Sequence, residues 1–92
     1  MNYLTFDLGV IGPDDLIEVS LDHPANVQLL DPSNLAAYKE GRPFKYHGGH
    51  AKVTPFRLRP PYQGQWYLVV DLGGGPGTVR ASVRVLSGSA AQ

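Results

Sequence analysis

Thr78-Val79-Arg80-Ala81-Ser82-Val83-Arg84-Val85-Leu86 repeats with a period of two: Val79, Ala81, Val83 and Val85 fall on one side, Arg80, Ser82 and Arg84 on the other. Successive side chains of an extended chain point to opposite faces, so this stretch is expected to be a half-buried strand with a wet outer face. Residues 65–72 repeat the pattern, with Trp66, Leu68, Val70 and Leu72 opposite Tyr67, Val69 and Asp71. Apolar Val69 on the second face predicts a central, covered position in its sheet. Ile17, Val19 and Leu21 alternate with Glu18, Ser20 and Asp22 in a third strand, and shorter strands are expected at 3–8, 26–30, 45–47 and 51–59.

Between these runs the chain carries turn chemistry: Gly12-Pro13-Asp14-Asp15, His23-Pro24, Pro60-Pro61-Tyr62-Gln63-Gly64 and Gly73-Gly74-Gly75-Pro76-Gly77. The last is expected to be a hairpin loop joining the two strongest strands. One short helix is expected after residue 30. Asp31 or Ser33 can cap it, Pro32 suits its first turn, Leu35 and Tyr38 share a face, and Gly41 with Pro43 stops it. The pattern predicts an all-β, antiparallel, jelly-roll-like β-sandwich of seven or eight strands, with the helix in its central crossover. Residues 1–86 form its single domain and 87–92 a flexible tail.

A chain of 92 residues fits one core, because halving it would leave two units too small to fold unaided. At 42% hydrophobic residues it can bury that core. Without cysteine there is no disulfide framework, thiolate nucleophile or cysteine-based zinc site, as suits a cytoplasmic protein. Met1-Asn2-Tyr3-Leu4-Thr5-Phe6-Asp7 has neither the basic start nor the apolar run of a signal peptide, and no stretch is long and apolar enough for a spanning helix, so no membrane role is expected.

From Leu21 onward the chain resembles a small bacterial family catalogued as domain of unknown function 1883. The resemblance rests on Leu21-Asp22-His23, Ala25-Asn26-Val27, Asp31 with Ser33-Asn34, Tyr38, Gly41, Tyr46 with Gly48-Gly49, Pro55, and Gly64 with Trp66-Tyr67. It closes on Val70-Asp71-Leu72-Gly73-Gly74, Gly77, Val79 and Ala81-Ser82-Val83-Arg84-Val85. It implies a compact β-sandwich of this length, found alone or appended to other domains, including TIR-type signalling domains. It brings no activity and no catalytic residue. His50 stands where the family more usually has an aromatic or aliphatic residue and Leu35 where Phe is common, so the resemblance gives His50 no role.

The motifs that look chemical are incomplete. His47-Gly48-Gly49-His50 offers two imidazoles, yet a metal site wants three or four ligands, with His23 or Asp71 as distant candidates for the third. The Gly-Gly pair reads more simply as a bulge or tight turn. The 73–77 glycine run lacks the Gly-Lys-Ser/Thr ending and following helix of a phosphate loop. Hydroxyls at Ser20, Ser33, Thr54 and Ser82 have no marked base beside them, so no catalytic residue, metal ligand or cofactor is assigned. The N-terminal carboxylates, Glu18 and Asp22 among them, are expected at solvated strand positions, pairing with arginines of later strands. Trp66 is expected in the core and Tyr67 on the ligand-facing side.

Charge is segregated. Residues 1–31 carry Asp7, Asp14, Asp15, Glu18, Asp22 and Asp31 with no Lys or Arg, whereas 39–59 carry Lys39, Arg42, Lys45, Lys52, Arg57 and Arg59 against Glu40 alone. Aromatic residues interleave the basic segment. Cations beside stacking surfaces suit an anionic small molecule, an acidic protein surface or single-stranded nucleic acid. The expected function is a non-enzymatic binding module using Arg42, Lys45, Tyr46, His47, His50, Lys52, Arg57 and Arg59. If the strands of Arg57 and Arg59 neighbour those of Arg80 and Arg84, four guanidiniums join in one patch. The alternatives are self-neutralisation by the acidic segment, a homo-oligomer pairing acidic with basic surfaces, and a small metal-dependent hydrolase built on His47 and His50.

Overall fold

The computed structural model describes residues 3–73 and 77–87. Among these the alternating stretches become β1 (Tyr3–Ile11), β2 (Asp15–Leu21), β3 (Ala25–Leu30), β4 (His47–Ala51), β5 (Phe56–Leu58), β6 (Gly64–Asp71) and β7 (Ala81–Ser87), with α1 (Pro32–Lys39) between β3 and β4. Two antiparallel sheets result, ordered β1-β6-β3-β4 and β5-β2-β7. The expected sandwich is therefore present, with both sheets open.

The inward rows are the apolar rows of the sequence. Ile17 and Val19 of β2 meet Val27 and Leu29 of β3 and Trp66, Leu68 and Val70 of β6, all 0–1% exposed. Each fully buried side chain of this size contributes about 1.5–3 kcal/mol. Trp66 is the expected core anchor, and its indole N–H donates to the Tyr62 carbonyl at 3.1 Å. Central β6 buries its second face as well: Val69 joins Leu30 and Leu35 in a smaller cluster under α1, flanked by Tyr38, Phe44 and Tyr67. Tyr67 thus packs beneath the helix instead of facing a ligand.

Asp31 caps α1, accepting the Asn34 backbone N–H at 2.8 Å, with Pro32 in the first turn and Gly41 at φ +72° beyond the end. No helix is long and apolar enough to cross a membrane.

Four expectations are corrected. Every connection between consecutive strands switches sheets except β3–β4, so α1 lies on the outside of one sheet and not in a crossover. The 73–77 run joins strands of different sheets and is not a hairpin turn; its residues 74–76 lie outside the described residues. Gly48 and Gly49 sit inside β4, where the sequence suggested a turn between strands at 45–47 and 51–59. Finally, β7 begins at Ala81 and runs through Ser87, so only 88–92 of the expected tail fall outside the described residues.

Candidate ligand cleft on the outer face of the four-stranded sheet

Register builds a polar row across all four strands of this sheet. Asn26 of β3 stands opposite both His50 of β4 and Asp71 of β6, and Asp71 stands opposite Tyr3 of β1. Gln28, two residues along β3, falls on the same outer face, opposite Gly48.

Asp71 is the hub. Its carboxylate is 3% exposed and accepts four hydrogen bonds: Tyr38 Oη at 2.6 Å, Gly73 N at 2.8 Å, and Asn26 Nδ2 and Gln28 Nε2 at 2.9 Å each. Burial alone would push this carboxyl up, but the bonds from Tyr38, Asn26, Gly73 and Gln28 outweigh it and hold the acid below its ordinary value of 3.8. Burial, together with the bond to Asp71, pushes the Tyr38 phenol well above its usual range and keeps it a donor.

An ionised Asp71 can only accept, which fixes the amides around it. Asn26 must turn its NH2 to Asp71, so its Oδ1 faces His50, 3.1 Å from Nδ1. His50 Nδ1 then donates to Asn26, and in that tautomer Nε2 is the accepting nitrogen. Gln28 likewise turns its NH2 to Asp71. Its Oε1 is buried without a hydrogen-bond partner among the described residues. An unsatisfied buried acceptor costs about 1–3 kcal/mol.

Aromatic rings roof this row. Tyr38 meets Tyr3 and Phe44 edge-on, with centroids 5.2 and 5.1 Å apart, and Phe44 meets Tyr46 at 5.8 Å. Next to them opens a cleft of about 320 Å³ lined by Asn26, Gln28, Phe44, Tyr46, Gly49 and His50. On the β4 side Gly49 lines it without a side chain. Gly48, at φ +131°, lies so close to β3 that a Cβ would collide with the Val27 carbonyl oxygen, and a Cβ on Gly49 would meet nothing within 4 Å.

Of the residues singled out from sequence, Tyr46 and His50 line the cleft. Lys45 is exposed between the two wall residues, its backbone N–H donating to Asn34 Oδ1 at 2.8 Å. Arg42 pairs with Glu40 at 2.9 Å. His47 turns to Trp66 instead, edge-on at 5.8 Å. The two histidines thus have separate partners, and among the described residues no group of three or more His, Cys, Asp or Glu gathers as metal ligands. Lys52 lines a smaller hollow of about 100 Å³ with Asp22 and His23.

Arg57 belongs to β5 of the other sheet, and Arg59 follows just beyond its end. There Glu18 accepts Arg57 Nε at 3.0 Å and Arg84 Nε at 2.6 Å. The guanidiniums of Arg84 and Arg57 hold the Glu18 carboxyl below its usual range. Pairing with later arginines is thus present, but Glu18 is 8% exposed and not solvated. The four-guanidinium patch does not form, because β2 separates β5 from β7. Arg59 reaches the Pro13 carbonyl at 3.4 Å, and Arg80 is exposed, with its backbone N–H on Asp22 at 2.8 Å.

Asn26 and Gln28 escaped the sequence reading, and Asp71 entered it only as a distant metal ligand. The signal available was the alternation of two amides with Ala25, Val27 and Leu29, which marks polar groups on a face that the following helix can cover.

Fold and cleft together define a small open β-sandwich with one polar, aromatic-walled cleft on an outer face. The chain belongs to the family described as Domain of unknown function (DUF1883), whose model matches residues 1–89. No curated protein and no solved structure matches it.

Proposed function

We propose that this chain is a non-enzymatic, cytoplasmic binding module whose recognition surface is the outer face of the four-stranded sheet. One observation carries this: a cleft of about 320 Å³, within the range of small-ligand sites, opens over amides that a buried carboxylate has already oriented. Preorganised polar groups lose little freedom when a ligand arrives. Asp71 is engaged by four donors and has no free lone pair aimed at chemistry, which supports binding over catalysis.

The test is mapping of backbone amide shifts in ¹⁵N-labelled protein against neutral saccharides, nucleotides and acidic peptides. Asn26, Phe44, Tyr46, Gly49 and His50 are expected to move together with at least one class. Shifts confined to the Arg57–Glu18–Arg84 face, or none at all, overturn the proposal.

A second reading keeps the anionic partner. Arg57 and Arg84 share one carboxylate, leaving a net positive charge on the outer face of the three-stranded sheet. An acidic protein surface docking there would bind weakly and lose affinity steeply with salt. Nucleic acid would follow the same salt rule. A homo-oligomer pairing acidic with basic surfaces finds Glu18 already engaged by its own arginines, and we rank it below both.

A further inference from the structure

We infer that the cleft takes a neutral, polyhydroxylated ring, a saccharide unit, with Gln28 Oε1 and His50 Nε2 accepting its hydroxyl hydrogens. The inference rests on the binding reading above and names its ligand class.

The groups left over at the cleft decide the class. Asp71 consumes an N–H of Asn26 and an N–H of Gln28, and Asn26 Oδ1 consumes the Nδ1 proton of His50. What remains is a pair of acceptors, Gln28 Oε1 and His50 Nε2, beside the second N–H of each amide. A phosphate or carboxylate can take those N–H groups but satisfies neither acceptor, and the buried carboxylate behind the amides repels it. A cationic ligand brings donors but meets the exposed Lys45, which lies between the wall residues Phe44 and Tyr46 in the chain. A sugar ring brings donors without charge. Its C–H face also matches the rings of Phe44 and Tyr46, which offer apolar surface and no fixed polar partner. Gln28 is 7% exposed and its Oε1 is covered, so a hydroxyl reaches it as the side chains lining the cleft rearrange. Satisfying that orphan acceptor is the gain that drives entry.

The probes are glucose, galactose, N-acetylglucosamine, maltotriose and cellotriose, followed by ¹⁵N shift mapping and calorimetry. At least one is expected to shift Asn26, Gln28, Gly49 and His50 with a Kd of about 1 mM or below, typical of one ring on an open cleft. Gln28→Leu removes the acceptor and Tyr46→Ala one wall, and each is expected to weaken binding about tenfold. The thermal midpoint of Gln28→Leu is expected to fall, because one of the four donors to the buried Asp71 carboxylate leaves with the amide. Should that variant fold poorly, His50→Phe at an exposed position is expected to weaken binding about as much.

If no saccharide shifts the cleft, or if the Gln28 and His50 variants bind as the parent does, the inference is overturned. Nucleotides or acidic peptides moving the cleft where saccharides do not would overturn it while leaving the binding module standing. A cleft silent to every class would remove both.

Discussion

The two outer faces of the sandwich each bury one carboxylate, and they satisfy it in opposite ways. On the four-stranded sheet Asp71 is held by neutral donors, two amides, a phenol and a backbone N–H. On the three-stranded sheet Glu18 is held by two guanidiniums whose side chains remain 54% and 69% exposed. Charged partners from neighbouring strands close on the acid and finish the matter locally. Neutral partners pass the constraint outward, because an amide whose NH2 is fixed also has its oxygen fixed. One face ends in a self-neutralised cluster, the other in oriented acceptors beside a cleft.

The largest effect is expected at Asp71. Asp71→Asn replaces one accepting oxygen by an NH2 that faces either Asn26 and Gly73 or Gln28 and Tyr38, and should cost about 3 kcal/mol of folding stability, measured by urea unfolding. The variant should also lose the order of the His50 ring, visible as a changed imidazole tautomer signal in ¹⁵N spectra. A cost under about 0.5 kcal/mol would mean that the neutral network is not what holds this face.

Gly48→Ala comes next, at about 2 kcal/mol, because its backbone sits at φ +131° and the new methyl meets the Val27 carbonyl. β4 is an edge strand, so the damage should stay local: faster amide exchange in β4 and distortion of the cleft. An unchanged midpoint and intact exchange protection would show that the close approach of β4 to β3 is dispensable.

A pH series sharpens the same contrast. The folded Asp71 carboxyl lies below its ordinary 3.8. Its stabilisation is therefore complete above that ordinary value and disappears as pH falls through the lower folded one. The gap in stability between parent and Asp71→Asn should narrow steadily below about pH 4. A gap that stays constant into stronger acid would show that the carboxylate charge contributes nothing.

The contrast between faces was only half legible in the chain. Alternation around Val69 and Val83 depends on neighbours in sequence, so strands, faces and the core position of Trp66 could be read directly. Asn26 and Asp71 meet 45 residues apart, through a register that no local pattern encodes. Glycine chemistry at 48–49 suits a turn and a tight strand equally. The approach of the Val27 carbonyl, a tertiary fact, selects the strand. The 73–77 run had the same weakness, since turn residues say that the chain bends and not which sheet it enters. Charge segregation foretold that acid would meet base, which Glu18 does, but the strand order divides residues 42–59 between two faces.

The smallest effect is expected at Glu18, and its salt dependence separates the faces most cleanly. Glu18→Gln keeps the shape and one of the two accepting oxygens but turns an NH2 to the other arginine and leaves Arg57 and Arg84 without an anion between them. Both guanidiniums reach water, so solvent and ions absorb much of that repulsion. The variant should melt slightly below the parent at low salt and converge with it by about 0.5 M NaCl. Asp71→Asn, whose missing contacts lie under Tyr38 and away from ions, should keep its deficit at every salt concentration. If instead Glu18→Gln matched Asp71→Asn and ignored salt, the arginine cluster would be as sealed as the amide network. The two faces would then differ in chemistry alone, with no reason to place recognition on one of them.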